Sequence, residues 1–300
     1  MSVLRLATRR SPLALAQAER VRRALLARGV EVEVVGVETH GDRDRSRPLA
    51  TMGGQGVFAR AIQDDLLEGR ADVAVHSAKD LPSVTPDGLV IAAVPEREDA
   101  ADALIGATLD DLAPGARVAT GSPRRRALLL ERRPDLTVLE LRGNMATRFA
   151  AVGADGVAAV VVAVAALARL GETGRIAERL DPEWFLPQVA QGAIALECRA
   201  DDVATRTLLA SLDDEAASRA VRAERSFLAE LGAGCSVPVG AHAEVIGDEI
   251  RLRGLMASRD GRTVLRSRVV GGDEVGLGRA LARELRDERG GSRLAGWDGA

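Results

Sequence analysis

"RLATRRSP" at residues 5–12 and "RVATGSP" at residues 117–123 decide the fold of this chain. Each ends a short apolar run in Ala-Thr and then sets a Ser-Pro before a helical pattern. That pattern is "LALAQAERVRRALLAR" in the first case and "RRRALLLERR" in the second. A serine hydroxyl can accept from the free N–H groups of a first helical turn, and proline is pre-shaped for the first helical position. Both stretches therefore read as strand, tight turn, helix. Two units of one design predict two similar lobes.

Outward from the first stretch, Gly29 closes the helix and "EVEVVGV" (31–37) reads as a strand. "VFARAIQDDLLEG" (57–69) reads as a helix and "ADVAVH" (71–76) as another strand. Outward from the second come "LTVLEL", the turn "RGNMATR", and the apolar run "GVAAVVVAVAALARL". That run is too short to span a bilayer and reads as a buried strand entering a helix. Strands alternating with helices predict an α/β fold with a mainly parallel sheet.

The style changes after about residue 213. A helix closing at Gly232 leads into "VGAHAEVI", "EIRLRGLMA" and "TVLRSRVV". Gly247-Asp248 and Asp260-Gly261 separate these strands as hairpin signals. A last helix over 274–289 completes a small α+β domain, and the glycine-rich tail from Gly290 is expected to be loose.

Among 300 residues, 46% are apolar and 28% charged, as in a globular protein with a real core. Aromatics are 2%, with no tyrosine, so there are no stacking platforms for single-stranded nucleic acid. The net charge of −3 disfavours nonspecific binding to DNA or anionic membranes. The N-terminal "MSVLRLATRRSP" has no signal-peptide pattern, and two cysteines cannot make a disulfide framework. The expected location is the cytoplasm.

Arginines gather at the expected carboxyl ends of strands: Arg9 and Arg10, Arg124 to Arg126, Arg142, Arg148 and Arg169. Open α/β sheets bind ligands there, and helix N-termini add N–H donors. Guanidinium forks recognise carboxylates or phosphates in bidentate fashion. The pattern asks for a polyanionic small molecule. No glycine-rich loop with Lys-Ser/Thr is present, which argues against a nucleotide.

Lys79, in "VHSAKDLPS", is the single lysine of the chain; every other residue counted among the 41 Lys and Arg is arginine. It adjoins Asp80 at a strand end, just before Leu81-Pro82. A carboxylate fixed there can stabilise a developing cation or shuttle a proton. His76 reads as a structural histidine. Cys235, flanked by glycine in "GAGCSVPVG", reads as an accessible nucleophile or attachment point, and Cys198 as a buried strand residue. No Cys/His spacing suggests zinc.

Taken together, "RLATRRSPLALAQ", "GGQGVFAR", "ADVAVHSAKDLP", "TGSPRRRALL", "LRGNMATR", "AQGAIALECR" and "GAGCSVPVGAHA" resemble the porphobilinogen deaminase (hydroxymethylbilane synthase) family, in order and over most of the chain. The resemblance implies two periplasmic-binding-protein-like α/β lobes with a cleft between them, plus a small C-terminal α+β domain with a three-stranded antiparallel sheet. Its domain map is 1–96 with 193–212, 97–192, and 213–300, with chain crossings near 94–100 and 186–193. It further implies a transferase of heme biosynthesis. Four porphobilinogen molecules would be joined head to tail on a dipyrromethane cofactor, held by a thioether to Cys235, before hydrolytic release.

By the same resemblance Asp80 is the catalytic carboxylate, stabilising the azafulvenium-like cation as ammonia leaves. Arg9, Ser11, Ser77, Lys79, Thr120, Ser122, Arg124, Arg125, Arg142, Arg148, Arg169 and Gln191 contact cofactor or substrate, and Phe58 is an aromatic on a loop over the cleft. The expected partner is porphobilinogen, with no nucleic acid or membrane, and the expected state is a monomer. Thr51 and Gln55 stand where the family often has lysine, and Ala190 where it often has glycine. The rival reading is a non-enzymatic two-lobe binding protein for an anionic small molecule, which would need neither Cys235 nor the Lys79-Asp80 pair.

Overall fold

The structure is a computed structural model describing residues 3–38, 59–232, 237–295 and 297. Packing divides the chain into two compact units, Met1–Glu98 with Gly192–Ser218, and Asp99–Gln191 with Arg219–Ala300.

The first unit runs β1 (Leu4–Arg9), α1 (Pro12–Leu26), β2 (Val32–Val37), α2 (Arg60–Leu67), β3 (Val73–Ser77) and β4 (Leu89–Ala93). After the chain returns it adds β10 (Ile194–Arg199) and α6 (Val203–Ala210). Its sheet has the order β2-β1-β3-β10-β4. β1 is parallel to β2 and β3, while β10 is antiparallel to β3 and β4. Both faces are covered, as the strand sequences require. Leu6, Val73 and Val75 pack with Val21 and Leu25 of α1, and the alternating Ala7 and Ala74 pack with Ile62 and Leu66 of α2. A fully enclosed leucine such as Leu25 contributes about 1.5–3 kcal/mol.

The second unit opens with β5 (Asp102–Ile105), β6 (Arg117–Ala119), α3 (Pro123–Arg132) and β7 (Thr137–Leu139). It continues with α4 (Met145–Ala151), β8 (Val157–Ala163), α5 (Val164–Leu170) and β9 (Ile176–Arg179). Its sheet order, β7-β6-β8-β5-β9, repeats the pattern of the first. A central strand is parallel to two neighbours, and one inserted strand is antiparallel to both of its own. The two lobes expected from the paired Ser-Pro turns thus share one topology. The apolar run from Val157 is β8 passing directly into α5.

α7 (Glu215–Glu230), β11 (Val239–Ile246), β12 (Glu249–Ala257), β13 (Val264–Gly271) and α8 (Glu274–Arg283) follow. The three strands form an antiparallel sheet, and Gly247-Asp248 is a two-residue hairpin loop between the paired Ile246 and Glu249. This sheet shares a core with the α/β part of its unit: Leu255 and Ala257 are enclosed with Leu128 and Leu129 of α3. Arg266 of β13 also holds Glu131 of α3 through both guanidinium ends, at 2.6 Å each. The last helix has the expected extent, its α-helical part Glu274–Arg283 continuing through Glu284–Glu288 as a π turn capped by Arg289. The expected loose tail is instead packed as far as Gly291, which is buried in a 3-10 turn. No described helix is long and apolar enough to cross a membrane.

Candidate active site

In each unit the Ser-Pro turn delivers a capped helix to the carboxyl end of a central strand. Ser11 caps α1, its hydroxyl accepting from Ala14 N–H at 3.3 Å. Ser122 caps α3 the same way, accepting from Arg125 N–H at 3.4 Å. Each cap is worth about 1 kcal/mol, and a helix N-terminus favours an anion through its N–H donors and dipole.

In the first unit these ends build one pocket. Arg9 at the end of β1, Ser11, Gln17 of α1, His76 and Ser77 at the end of β3, and Asp80 just after it line it, with Ala59 and Ile62 on the α2 side. Ser77 ends β3, and Ala78–Asp80 then form a single 3-10 turn before Pro82, so Asp80 is held on rigid backbone and half-buried. Lys79 occupies the same turn, also half-buried. Gln17 and Ser77 exchange side-chain hydrogen bonds at 2.7 and 3.2 Å, which fixes the serine at the rim. Arg10 is engaged elsewhere, its Nε donating to the Gly36 carbonyl at 3.0 Å.

In the second unit Arg124 and Arg125, which follow Ser122, are buried, while Arg126 is exposed. Arg124 Nη2 reaches Asp102 Oδ2 at 2.7 Å, and Arg125 Nη2 reaches Asp102 Oδ1 at 2.6 Å. Gln191 Nε2 donates to the same carboxylate at 2.8 Å, and Asp102 is fully enclosed. Arg124 also donates to the Leu186 carbonyl and lies over the Phe185 ring, while Arg125 donates to the Val161 carbonyl. Burial pushes the Asp102 carboxyl up, but the charges of Arg124 and Arg125 overcome it and hold it far below the ordinary range. Burial wins for Arg124, which lies below its usual value but stays protonated, as guanidiniums do. The cluster therefore encloses two cations against one anion.

Thr120 is buried beside this cluster, its hydroxyl accepting from Ser122 N–H at 3.2 Å. Arg142 and Arg148 flank the Asn144 cap of α4, with Arg148 Nε donating to the Gly143 carbonyl at 3.3 Å. Gly143 has φ +119, and a Cβ there would strike Thr147 at 2.7 Å, so only glycine makes this turn. Gly121 is bare for a different reason: a Cβ would sit 2.6 Å from the Leu141 carbonyl oxygen. Its absence lets the Thr120–Ser122 turn lie directly against the turn that bears Arg142. Arg169 is in the last turn of α5. Ala190 does adopt the left-handed conformation for which family members often use glycine, φ +59, and its N–H donates to Glu224 at 2.6 Å.

Phe58 and Cys235, and the substituted loop positions Thr51 and Gln55, lie outside the described residues. Val237, two positions after Cys235 in the chain, lines a second pocket with Ser122, Arg124 and Gln188. Sequence reasoning missed three participants: Gln17, Asp102 and Glu197. Glu197 lies behind His76, and its signal was an acid inside the apolar strand "AIALECR".

Comparison with known proteins bears on this arrangement. Residues 4–207 match the sequence model of the porphobilinogen deaminase dipyromethane cofactor binding domain, and residues 218–287 that of the porphobilinogen deaminase C-terminal domain. The chain belongs to the porphobilinogen deaminase family. A porphobilinogen deaminase from Roseiflexus sp. is 49% identical over 295 residues, covering 96% of this chain and 97% of the relative. One from Acidothermus cellulolyticus is 47% identical over 294 residues, covering 95% and 89%. Among solved structures, a periplasmic substrate-binding protein of an ABC transporter from Coxiella burnetii aligns at 15% identity and TM-score 0.43, covering 72% of this chain and 94% of its own. The chain is accordingly a transferase of tetrapyrrole synthesis, working with a dipyrromethane cofactor.

The described residues suit such a group, which is rich in carboxylates. Among the described residues Arg124 Nε is enclosed with no acceptor, and the Asp102 cluster carries an excess cation. An uncompensated charge in low dielectric costs several kcal/mol, so an incoming carboxylate is favoured there.

Proposed function

We propose that Asp80 is the catalytic carboxylate of this enzyme and that Cys235 carries the dipyrromethane cofactor through a thioether. The observation that carries the reading is the convergence of Asp80, Arg9, Ser11 and Ser77 on one pocket at the strand ends of the first unit.

When bound, the dipyrromethane would supply the free ring carbon to which the first porphobilinogen unit is joined, each later unit joining the ring added before it. Asp80 stabilises the positive charge left on the substrate's aminomethyl carbon as ammonia departs. Arg9 and the N–H groups at the Ser11 cap orient substrate carboxylates in the first unit. Thr120, Ser122, Arg124, Arg125, Arg142, Arg148, Arg169 and Gln191 do so in the second, with Phe58 as a covering aromatic. Lys79 offers a compact ammonium beside Asp80, where the broader arginine fork would fit differently. Four such condensations followed by hydrolysis release hydroxymethylbilane. The enzyme acts on porphobilinogen as a monomer in the cytoplasm; the net charge of −3 and the paucity of cysteine support that placement.

The test is the intact mass of the freshly purified, denatured protein beside a Cys235→Ser variant. The wild type is expected to exceed its sequence mass by two porphobilinogen units, each less one ammonia, and the variant to show the bare mass. A bare wild-type mass that porphobilinogen does not increase would refute the reading. Asp80→Asn should keep the primer or accept it from a donor, yet turn over about 10²- to 10⁴-fold more slowly. Lys79→Arg with unchanged turnover and loading would remove the role given to the ammonium.

A further inference from the structure

His76 belongs to the pocket that Asp80 occupies, yet nothing above uses it. Its side chain is 5% exposed, and its Nε2 lies 3.2 Å from Oε2 of Glu197, itself 1% exposed, off the line of a straight hydrogen bond. Glu197 reaches it from β10, where Ala195 is the register partner of His76. Both Glu197 oxygens accept from Gln63 Nε2 of α2 at 3.1 Å. A carboxylate is thus buried behind the pocket, positioned by a neutral amide, and among the described residues the His76 imidazole stands between it and the pocket.

That arrangement is costly for mere packing. A buried carboxylate without a cation carries a desolvation penalty of several kcal/mol, and among the described residues His76 is the one group touching Glu197 that can become a cation. The carboxylate beside Nε2 favours the tautomer with hydrogen on Nε2 and leaves Nδ1 as the basic nitrogen. Among the described residues the charged groups around His76 are Glu197 from β10, Asp80 from the turn after its own strand, and Arg9 from β1. α1 and α2 present only the neutral Gln17 and Gln63.

We propose that His76 accepts the proton displaced at each condensation, with Glu197 as its buried counter-ion; this rests on the reading of Asp80 given above. In every cycle one carbon–nitrogen bond breaks and ammonia leaves with the electron pair. One carbon–carbon bond forms, and one ring C–H proton is displaced. Nδ1 of His76 takes that proton, the imidazolium is held by Glu197, and the proton then passes to the departing ammonia, which leaves as ammonium. The histidine is neutral again for the next unit. Asp80 stabilises charge, so the two jobs fall to two groups.

The experiment compares primer-loaded wild type, His76→Gln and Glu197→Gln by turnover across pH and by NMR of the His76 ring resonances, which need no turnover. For His76→Gln the expected result is a kcat about 10- to 100-fold lower, with primer mass kept, KM for porphobilinogen within twofold, and the acid limb of the pH profile gone. For Glu197→Gln the acid limb and the His76 resonances should move together to lower pH, because the imidazolium loses its counter-charge. An unchanged acid limb in a primer-loaded, active His76→Gln enzyme overturns the assignment while leaving Asp80 and Cys235 in place. A KM effect with kcat retained also overturns it, since it marks a binding role. If His76→Gln does not fold, Glu197→Gln decides alone, and an unmoved limb is fatal. A wild type without primer would remove the parent reading, and this one with it.

Discussion

Asp102 Oδ2 accepts from Arg124 Nη2 at 2.7 Å, both side chains enclosed, and a second guanidinium holds its other oxygen. The carboxylate keeps two buried cations, and thereby the first turn of α3, against the end of β5. Removing it strands them. Asp102→Asn should cost about 3–5 kcal/mol, the usual price of an uncompensated buried charge. Denaturant unfolding of the variant measures it, and a loss below about 1 kcal/mol would show that the arginines find other acceptors.

The same carboxylate sets an acid dependence. Its folded-state value lies well below the ordinary one, so in falling pH the unfolded chain binds the proton first, near pH 4. Its contribution is therefore complete above that value and is lost as pH drops further toward the folded-state value. Melting temperatures between pH 6 and pH 3 should fall more steeply for wild type than for Asp102→Asn. Parallel curves would assign the acid sensitivity to other carboxylates.

Gly121 tests how closely the two arginine-bearing turns must approach. An alanine methyl would lie 2.6 Å from the Leu141 carbonyl oxygen, a contact that backbone must yield to relieve. Gly121→Ala should lose about 1–3 kcal/mol, as overpacking does. Gly174→Ala, where a Cβ meets nothing within 4 Å, is the control and should be neutral or slightly stabilising. Equal unfolding midpoints for the two variants would contradict the close approach.

Glu224 of α7 is fully enclosed and accepts from Ala190 N–H at 2.6 Å and Ala243 N–H at 2.7 Å. It joins the left-handed residue before Gln191 to the first strand of the C-terminal sheet. Glu224→Ala frees two buried donors, each worth about 1–3 kcal/mol when unsatisfied. The expected loss is about 2–5 kcal/mol, read from the urea midpoint, and a near-neutral result would mean that water replaces the carboxylate.

What the sequence disclosed was local. Ser11-Pro12 and Ser122-Pro123 carry their own capping chemistry, and the strand and helix periods beside them are legible within a dozen residues, so both lobes and their shared design could be read. The hairpin at Gly247-Asp248 is local for the same reason. Asp102, Gln17 and Glu197 are different, because their meaning depends on partners 22, 60 and 134 residues away that only the sheet order brings together. The arginines show the limit most clearly. Position marked Arg124 and Arg125 as ligand-facing, but nothing in "TGSPRRRALL" reveals that Asp102 occupies part of each fork. The last helix keeps its expected length because Leu285 continues its apolar period, but nothing local announces the π turn at Glu284–Glu288.

Cys198 offers a last check, one that also guards the attachment experiment. It is enclosed in β10, and burial pushes its thiol up to about 11. At pH 8 only about one molecule in a thousand would carry the thiolate there, against roughly a quarter for an ordinary cysteine. In native protein at that pH an alkylating reagent should therefore leave Cys198 unmodified over the time in which free cysteine reacts fully, whereas denatured protein should take up label at this position. Peptide mapping after a timed exposure separates the two states. Cys198→Ala should retain the whole mass of the primer, since a buried, protonated thiol is a poor nucleophile. Loss of the primer from that variant would move the attachment away from Cys235, and rapid native labelling of Cys198 would mean that β10 opens far more often than its packing allows.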